Sequence, residues 1–289
     1  MAIKHDLRHS IRNILTRNRD GSYNTQSDRQ GLLRHFGDTL IALGYGLRDI
    51  KGLKEKHIRA VVTHWQEKGL ANATLKNRLS AIRYLTAKIN KPNIVPSNQE
   101  LAIGRRKYAP QFNRALNNPD FSAIKNSHIY ISLQLQRVFG LRREEAIKIK
   151  PHVADKSDNL ALLPTWCKGG RGRSIPIQTQ EQQHWLEAAK QLVSASESLI
   201  PKGKNYIQHR YIYDKEIQKA GLRNLHGLRH AYAQSQYEKL TGWKAPINGG
   251  PSSKELTASM KKIDHDARMI ISELIGHSRE QVTVNYLGR

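Results

Sequence analysis

The stretch His226-Gly227-Leu228-Arg229-His230 opens a run whose spacing predicts a helix over about 226–239, with a histidine and an arginine three residues apart on one face. Asn224 or a neighbour is placed to cap its start. A helix N-terminus presents unpaired N–H groups and the positive end of the helix dipole, so this pair sits where a phosphate is already favoured. Either residue alone would be ordinary, a packed histidine or a surface arginine. What lies on both sides of the stretch gives it meaning.

Downstream comes Gly276-His277-Ser278, with Tyr286 nine positions after the histidine. Ser278 and Gln281 have the spacing of a capping box, which predicts a short helix over about 279–286 carrying Tyr286 some two turns on. Upstream, two strands are expected, Asn159 to Trp166 and Arg173 to Ile177, joined by the hairpin loop Lys168-Gly169-Gly170-Arg171-Gly172. Before them an apolar helix, His128 to Phe139, stops at Gly140 and leads into Leu141-Arg142-Arg143-Glu144-Glu145. Further helices are expected over about 180–194, 206–220 and 255–275. The reading is mainly α with a small antiparallel β-sheet.

These motifs, in this order, resemble the tyrosine recombinase, or phage integrase, family. Its pattern is an arginine, a hairpin lysine, a His-x-x-Arg pair, a further histidine and a nucleophilic tyrosine. The resemblance places them on Arg142, Lys168, His226, Arg229, His277 and Tyr286, with Glu145 at the family's acidic position. It implies a catalytic domain over 119–289 and an N-terminal SAM-like helical core-binding domain over 25–90. It also implies a site-specific recombinase acting in integration or excision of a mobile element, and no cofactor. The partners implied are double-stranded DNA attachment or core sites, a homo-tetramer on two such sites, and accessory DNA-bending or directionality proteins.

The chemistry asks for these residue types on its own terms. Charge builds on the nonbridging oxygens of an attacked phosphate, and the guanidinium forks of Arg142 and Arg229 would meet it. A phenol titrates near about 10, so Tyr286 needs clustered cations and a nearby histidine before it can attack. Lys168 is the natural acid for the departing 5′ oxygen, and His277 would hold the phosphate. Glu145 would orient an arginine. Because the bond energy is kept in a 3′-phosphotyrosine, no nucleotide is needed, and no Walker-type GxxxxGK[ST] occurs in the chain. Asp264-His265-Asp266 lacks further spaced ligands and is read as helix capping or decoration, with no metal.

Across the 289 residues, 48 Lys+Arg against 24 Asp+Glu leave a formal +24. Nucleic acid, an anionic membrane or an acidic protein would each answer that balance. The charges lie within helical patterns, which favours a folded basic surface. No run approaches a membrane span, and the N-terminus lacks the apolar run of a signal peptide. The expectation is a soluble, cytoplasmic protein, bacterial or phage-encoded, acting at the nucleoid. Cys167, the single cysteine, excludes an internal disulfide.

Residues 1–24 read as a polar arm, possibly flexible. From Gln26, Leu32, Leu33, Phe36, Leu40 and Leu43 share a helix face. A second helix, about Glu55 to Lys68, carries Ile58, Val61, Val62 and Trp65. A third, about Ala71 to Ile89, buries Leu75, Leu79, Ile82 and Leu85 and leaves Lys76, Ser80 and Arg83 for a DNA backbone. Residues 91–118, with Arg105, Arg106 and Lys107, read as a basic linker suited to a clamp around a duplex; Arg171 and Arg173 are further candidate DNA contacts.

Two features depart from the family layout. Thr241 to Ser253 inserts a flexible polar loop where a brief connection is usual, and only Leu287-Gly288-Arg289 follow the tyrosine. Two other readings compete. A type IB topoisomerase-like or resolvase enzyme would share the chemistry without exchanging paired sites. A catalytically silent DNA-binding regulator would need none of the six residues.

Overall fold

Leucine and isoleucine at helical spacing organise the first part of the chain. In the computed structural model, which describes residues 2–106 and 108–289, α1 (Ala2–Arg17), α2 (Tyr23–Ala42), α3 (Glu55–Glu67) and α4 (Asn72–Lys88) build one compact unit, Met1–Lys107. Its core joins Leu33, Phe36 and Leu40 to Ile58, Val61, Val62 and Trp65 and to Leu75, Leu79, Ile82 and Leu85. Leu32 and Leu43 pack at its edge.

The expectation of a flexible arm over 1–24 does not hold. Leu7 and Ile11 are buried in this core, four residues apart on α1, and Ser10 donates to Asp49 at 2.8 Å. Burying one such leucine contributes roughly 2 kcal/mol. The charged residues between them mask that stripe in the sequence. Ser22 then caps α2 by accepting from the Thr25 amide.

The stretch expected to be a linker is folded at both ends. Val95, Leu101 and Ile103 are buried in the first core, and Arg83 holds the turn by donating to the Pro96 carbonyl at 2.9 Å. At the other end the Leu116 amide donates to the Gly227 carbonyl at 3.0 Å, inside the second unit, Tyr108–Arg289.

In that unit α5 (Ser127–Phe139) starts on Asn126, which accepts from the Ile129 amide, and ends at Gly140, whose φ of 62° is left-handed. α6 (Arg143–Lys148) and α7 (Pro151–Ala154) follow. The sheet is one antiparallel pair, β1 (Asn159–Leu162) and β2 (Arg173–Pro176), with Leu162 opposite Arg173. β1 is shorter than expected because Pro164 starts a 3-10 turn, Pro164–Trp166. Then come α8 (Gln180–Leu192), α9 (Tyr206–Lys219), α10 (Gly227–Thr241), α11 (Ala258–Leu274) and α12 (Val284–Leu287).

Three local expectations fail here. Ser278 and Gln281 form no capping box: the Ser278 hydroxyl accepts from Arg171 at 2.9 Å, and a 3-10 turn, Glu280–Thr283, leads into α12 instead. The segment after α10 is no flexible loop, since Ala245 is buried and Trp243 and Ile247 pack against Tyr286, Leu287 and α11. Asn224 does not cap α10 with its side chain; at φ 55° it turns the chain, and its carbonyl accepts the Gly227 amide. Among the described residues no helix is long and apolar enough to cross a membrane.

His209 on α9 is fully buried against His128, and neither of its ring nitrogens has a partner among the described residues. Burial pulls its pKa down from 6.5 to about 4. The folded state thus resists a proton that the unfolded chain takes up, so stability is full above pH 6.5 and falls as pH drops towards 4. His209→Leu removes the orphaned nitrogens. In urea melts it is expected to gain about 1 kcal/mol at pH 7 and a shallower loss between pH 6.5 and 4; an unchanged pH profile would contradict this.

Candidate active site

A buried carboxylate collects the arginines. Arg142 occupies the cap position of α6, and Glu145, one turn later and fully buried, accepts the Arg142 amide at 2.8 Å and its Nη1 at 2.7 Å. Arg173, the first residue of β2, donates Nη1 to Oε1 at 3.0 Å and Nη2 to Oε2 at 2.8 Å. Arg229, in the first turn of α10, brings Nη1 to 4.0 Å from the same carboxylate. Burial alone would raise the Glu145 pKa. The bonds and charge of Arg173, followed by the charges of Arg142 and Arg229, overcome it and hold the group at about 2.

The end of α11 completes the cradle. The last carbonyls of a helix lack intrahelical partners and carry the negative end of its dipole. Arg173 Nε donates to the Leu274 carbonyl at 2.7 Å, while Arg142 Nη2 at 3.1 Å and Arg229 Nη2 both donate to that of Ile275. Arg229 also reaches the Gly140 carbonyl and is 1% exposed. Burial first of all lowers its pKa to about 10, so it stays charged at neutral pH. Gly276 is dictated by this crowding: at φ 64°, a Cβ there would lie 2.9 Å from Arg173 Nη1 and 3.1 Å from Arg142 Nη1.

His277 follows, with Nε2 3.2 Å from Arg142 Nη2. Its pKa is lowered to about 4, by burial first and then by Arg142, Arg229 and Arg173. His226 stands exposed at the mouth, and its pKa is also lowered, by partial burial and then by Arg229, Arg142 and Arg114. Both imidazoles are therefore neutral at pH 7, that of His277 with Nε2 already accepting from Arg142.

Tyr286 is brought into this cluster within the same chain. Its hydroxyl lies 3.5 Å from Arg229 Nε, and its ring centroid is 6.1 Å from that of His226 and 6.5 Å from that of His277. The nearest aromatic partner is His230, tilted at 4.6 Å, buried, and lowered to about 4 by burial and by His226. His230 has no role in the motif of the sequence. Its signal was the i, i+4 spacing from His226, which puts both rings on one face of α10.

Arg142, His226, Arg229, His277, Tyr286 and Glu145 thus converge, while Lys168 does not. It stands exposed on the hairpin and makes no hydrogen bond or ion pair among the described residues. Arg171 beside it is exposed and holds Ser278. Arg173, expected on DNA, is instead spent behind the site, its side chain 7% exposed and every nitrogen bonded. In the first unit Ser80 and Arg105 are exposed and Lys76 is half-buried. Arg83 and Arg106 are half-buried and hold backbone carbonyls of Pro96 and Ala73, which diverts part of their donor capacity from any phosphate. Lys107 lies outside the described residues. Asp264 binds Tyr237 and Arg268.

Two open grooves flank His226. One, of about 600 Å³, is lined by Arg143, Arg223 and Tyr213, and the other, of about 500 Å³, by Phe112, Arg114 and His230. Across the whole centre, the three guanidinia of Arg142, Arg173 and Arg229 face the one carboxylate of Glu145. Two positive charges are left over, facing a site with neutral bases and a tyrosine hydroxyl, which suits an attacked phosphodiester.

Both halves of the chain match known proteins. A family model described as "Phage integrase, N-terminal" matches residues 5–95, and one described as "Integrase" matches residues 112–235. No curated protein sequence matches the chain. Among solved structures, the XerH site-specific recombinase in a post-cleavage complex with palindromic difH substrate aligns at TM-score 0.58 and 17% identity, over 96% of this chain and 79% of that one. A lambda integrase dimer on a COC′ core site aligns at 0.56 and 16%, over 95% and 92%. The Tn1549 transposon integrase in complex with a circular intermediate DNA aligns at 0.54 and 13%, over 98% and 95%. At these identities the likeness is one of fold.

Because its folded pKa of about 2 lies below the ordinary 4.5, Glu145 contributes stability that is full above pH 4.5 and lost as pH falls through about 2. Arg173→Gln breaks its bidentate pair and is expected to cost about 3 kcal/mol at pH 7 in urea melts. Glu145→Gln is expected to cost a similar amount, and the double variant less than the sum. Strict additivity would show that the two are not a unit.

Proposed function

The chain belongs to the phage integrase family, the tyrosine-type site-specific DNA recombinases, and from that premise we propose that Tyr286 is its nucleophile and that Arg142, Lys168, His226, Arg229 and His277 complete its catalytic centre. The observation that carries this reading is the Tyr286 hydroxyl 3.5 Å from the Arg229 guanidinium, with three histidine rings around the phenol.

A scissile phosphate enters between the grooves beside His226. Arg142 and Arg229 exchange backbone carbonyls for its nonbridging oxygens, where charge develops. One neutral imidazole, His226 or His277, takes the phenolic proton as the tyrosine oxygen bonds to phosphorus. The bond from phosphorus to the 5′ oxygen breaks, and that oxygen takes a proton from Lys168, carried in by the hairpin. The product is a 3′-phosphotyrosine and a free 5′ hydroxyl. Attack by a 5′ hydroxyl from a partner strand reverses each step and returns the proton to Tyr286.

The partners proposed are attachment or core sites in duplex DNA, two of them joined by four copies of the chain, with accessory DNA-bending or directionality proteins. Integration or excision of a mobile element is the outcome that fits. Ser80, Lys76 and Arg105 in the first unit and Arg114, Arg143, Arg171 and Arg223 around the centre are the available phosphate contacts.

The test uses duplexes enriched from a randomised pool by the Tyr286→Phe protein and then nicked beside the cleavage position. The unaltered chain is expected to give a covalent adduct that survives denaturation, and Tyr286→Phe none. Arg142→Ala or Arg229→Ala should slow adduct formation by about 100-fold or more while binding persists. Affinity should fall steeply between 50 and 200 mM salt as phosphate contacts release counterions. An adduct from the Phe variant refutes the assignment of the nucleophile.

A further inference from the structure

The helix that carries Tyr286 is too short to hold itself. α12 has four residues, and the Gly288 amide, donating to the Val284 carbonyl at 3.0 Å, closes its end. Isolated turns of that length are unfavourable in water, because fixing the backbone costs more than one hydrogen bond returns. The carbonyls of Tyr286 itself and of Gly288, two residues on, are nonetheless both bonded, and both by buried side chains from other elements.

Gln234 on α10, 6% exposed, donates to the Tyr286 carbonyl at 2.9 Å. Its amide is turned by Asn113 in a reciprocal pair, Gln234 to Asn113 at 2.8 Å and Asn113 to Gln234 at 3.2 Å. Arg268 on α11, 2% exposed, donates to the Gly288 carbonyl at 3.1 Å and to the Thr283 hydroxyl at 3.4 Å. Asp264 fixes that guanidinium at 2.8 Å, and Tyr237 donates to Asp264 at 2.5 Å.

The segment after α10 closes the arrangement. Trp243 donates to the Tyr237 hydroxyl at 3.2 Å, Ile247 packs with Tyr286 and Leu287, and Asn248 accepts from Asn113 at 3.4 Å. Among the described residues, the side chains of other elements that bond the backbone around Tyr286 are thus those of Gln234 and Arg268, and the inserted segment packs against the same helix.

We infer that Arg268, held by Asp264, together with Gln234 and the inserted segment around Trp243–Asn248, forms a latch that positions Tyr286 for attack. This rests on Tyr286 being the nucleophile. None of these residues touches the reacting atoms; they are positioning residues, acting through the α12 backbone. The inserted segment thereby acquires a task, and so do Asp264 and the buried Arg268, which the chemistry at the phosphate does not use. Holding the phenol beside Arg229 before DNA arrives lowers the ordering cost of the attack.

The test takes the full chain with Asp264→Asn and Arg268→Gln together, which removes both charges of the pair at once, and separately Ile247→Ala, which trims a half-buried contact. Hydrogen exchange of the free protein is read over residues 284–289 and, as an internal standard, over α5. Adduct formation is read in single turnovers at saturating nicked duplex, alongside affinity. Exchange over 284–289 is expected to rise at least tenfold in the double variant and severalfold in Ile247→Ala, with α5 unchanged. The adduct rate should fall tenfold or more in the double variant with affinity unaltered, and Arg268→Lys, which keeps charge and a donor, should stay within about threefold of the parent. Faster exchange with an unchanged adduct rate overturns the inference, as does exchange that rises equally in α5. If the parent chain itself gives no adduct, the nucleophile assignment falls, while the exchange comparison still decides whether α12 is latched.

Discussion

One buried carboxylate and one helix end carry the centre of this protein. Guanidinium groups repel one another, and gathering three of them in a partly dry site is unfavourable unless something negative organises them. Glu145 supplies a full charge, and the C-terminal carbonyls of α11 supply the oriented dipoles that a helix leaves without partners. Because one carboxylate and uncharged carbonyls cannot cancel three guanidinium charges, the cluster keeps a net positive field. A phosphodiester is the ligand that such a field selects, and its developing charge is what the field stabilises most.

The same field sets the state of the histidines. Burial and the neighbouring arginines hold His277 and His230 at about 4 and lower His226, so the site combines permanent cations with neutral bases. Those two properties are hard to combine in water, where an exposed histidine titrates near neutrality. Here burial does most of it, and the arginines that would bind phosphate add to keeping the imidazoles free of protons. Lys168 stands apart on its hairpin, which Arg173 anchors to Glu145 at the base and Arg171 ties to Ser278 near the tip. In the proposed mechanism an acid is needed only after attack begins, which a residue outside the resting cluster can supply.

Where the sequence misled, a local pattern met a stronger tertiary demand. Residues 1–24 looked polar because Leu7 and Ile11 are separated by charges, yet four-residue spacing on a helix is enough to reach a core. Ser278 had the spacing of a capping box, but Arg171 took its hydroxyl. Arg173, at the start of the second expected strand, looked like one more basic residue suited to DNA. Opposite Leu162 in the hairpin register it points at Glu145, and a buried carboxylate outcompetes a solvated surface for a guanidinium.

The amino-acid order by itself determined the helical and hairpin periods, the basic balance, and the set of residue types that phosphodiester chemistry needs, from Arg142 to Tyr286. These are legible because spacing along a helix or strand fixes which side chains share a face, and because chemical capability belongs to the side chain itself. The tertiary structure alone decided that α11 ends against three arginines, that His230 lies on the tyrosine ring, and that Gln234, Arg268 and the segment after α10 hold α12. Contacts between residues dozens of positions apart leave no periodic trace. They arise only when separate elements pack and each buried polar group must find whatever partner the packing brings within reach.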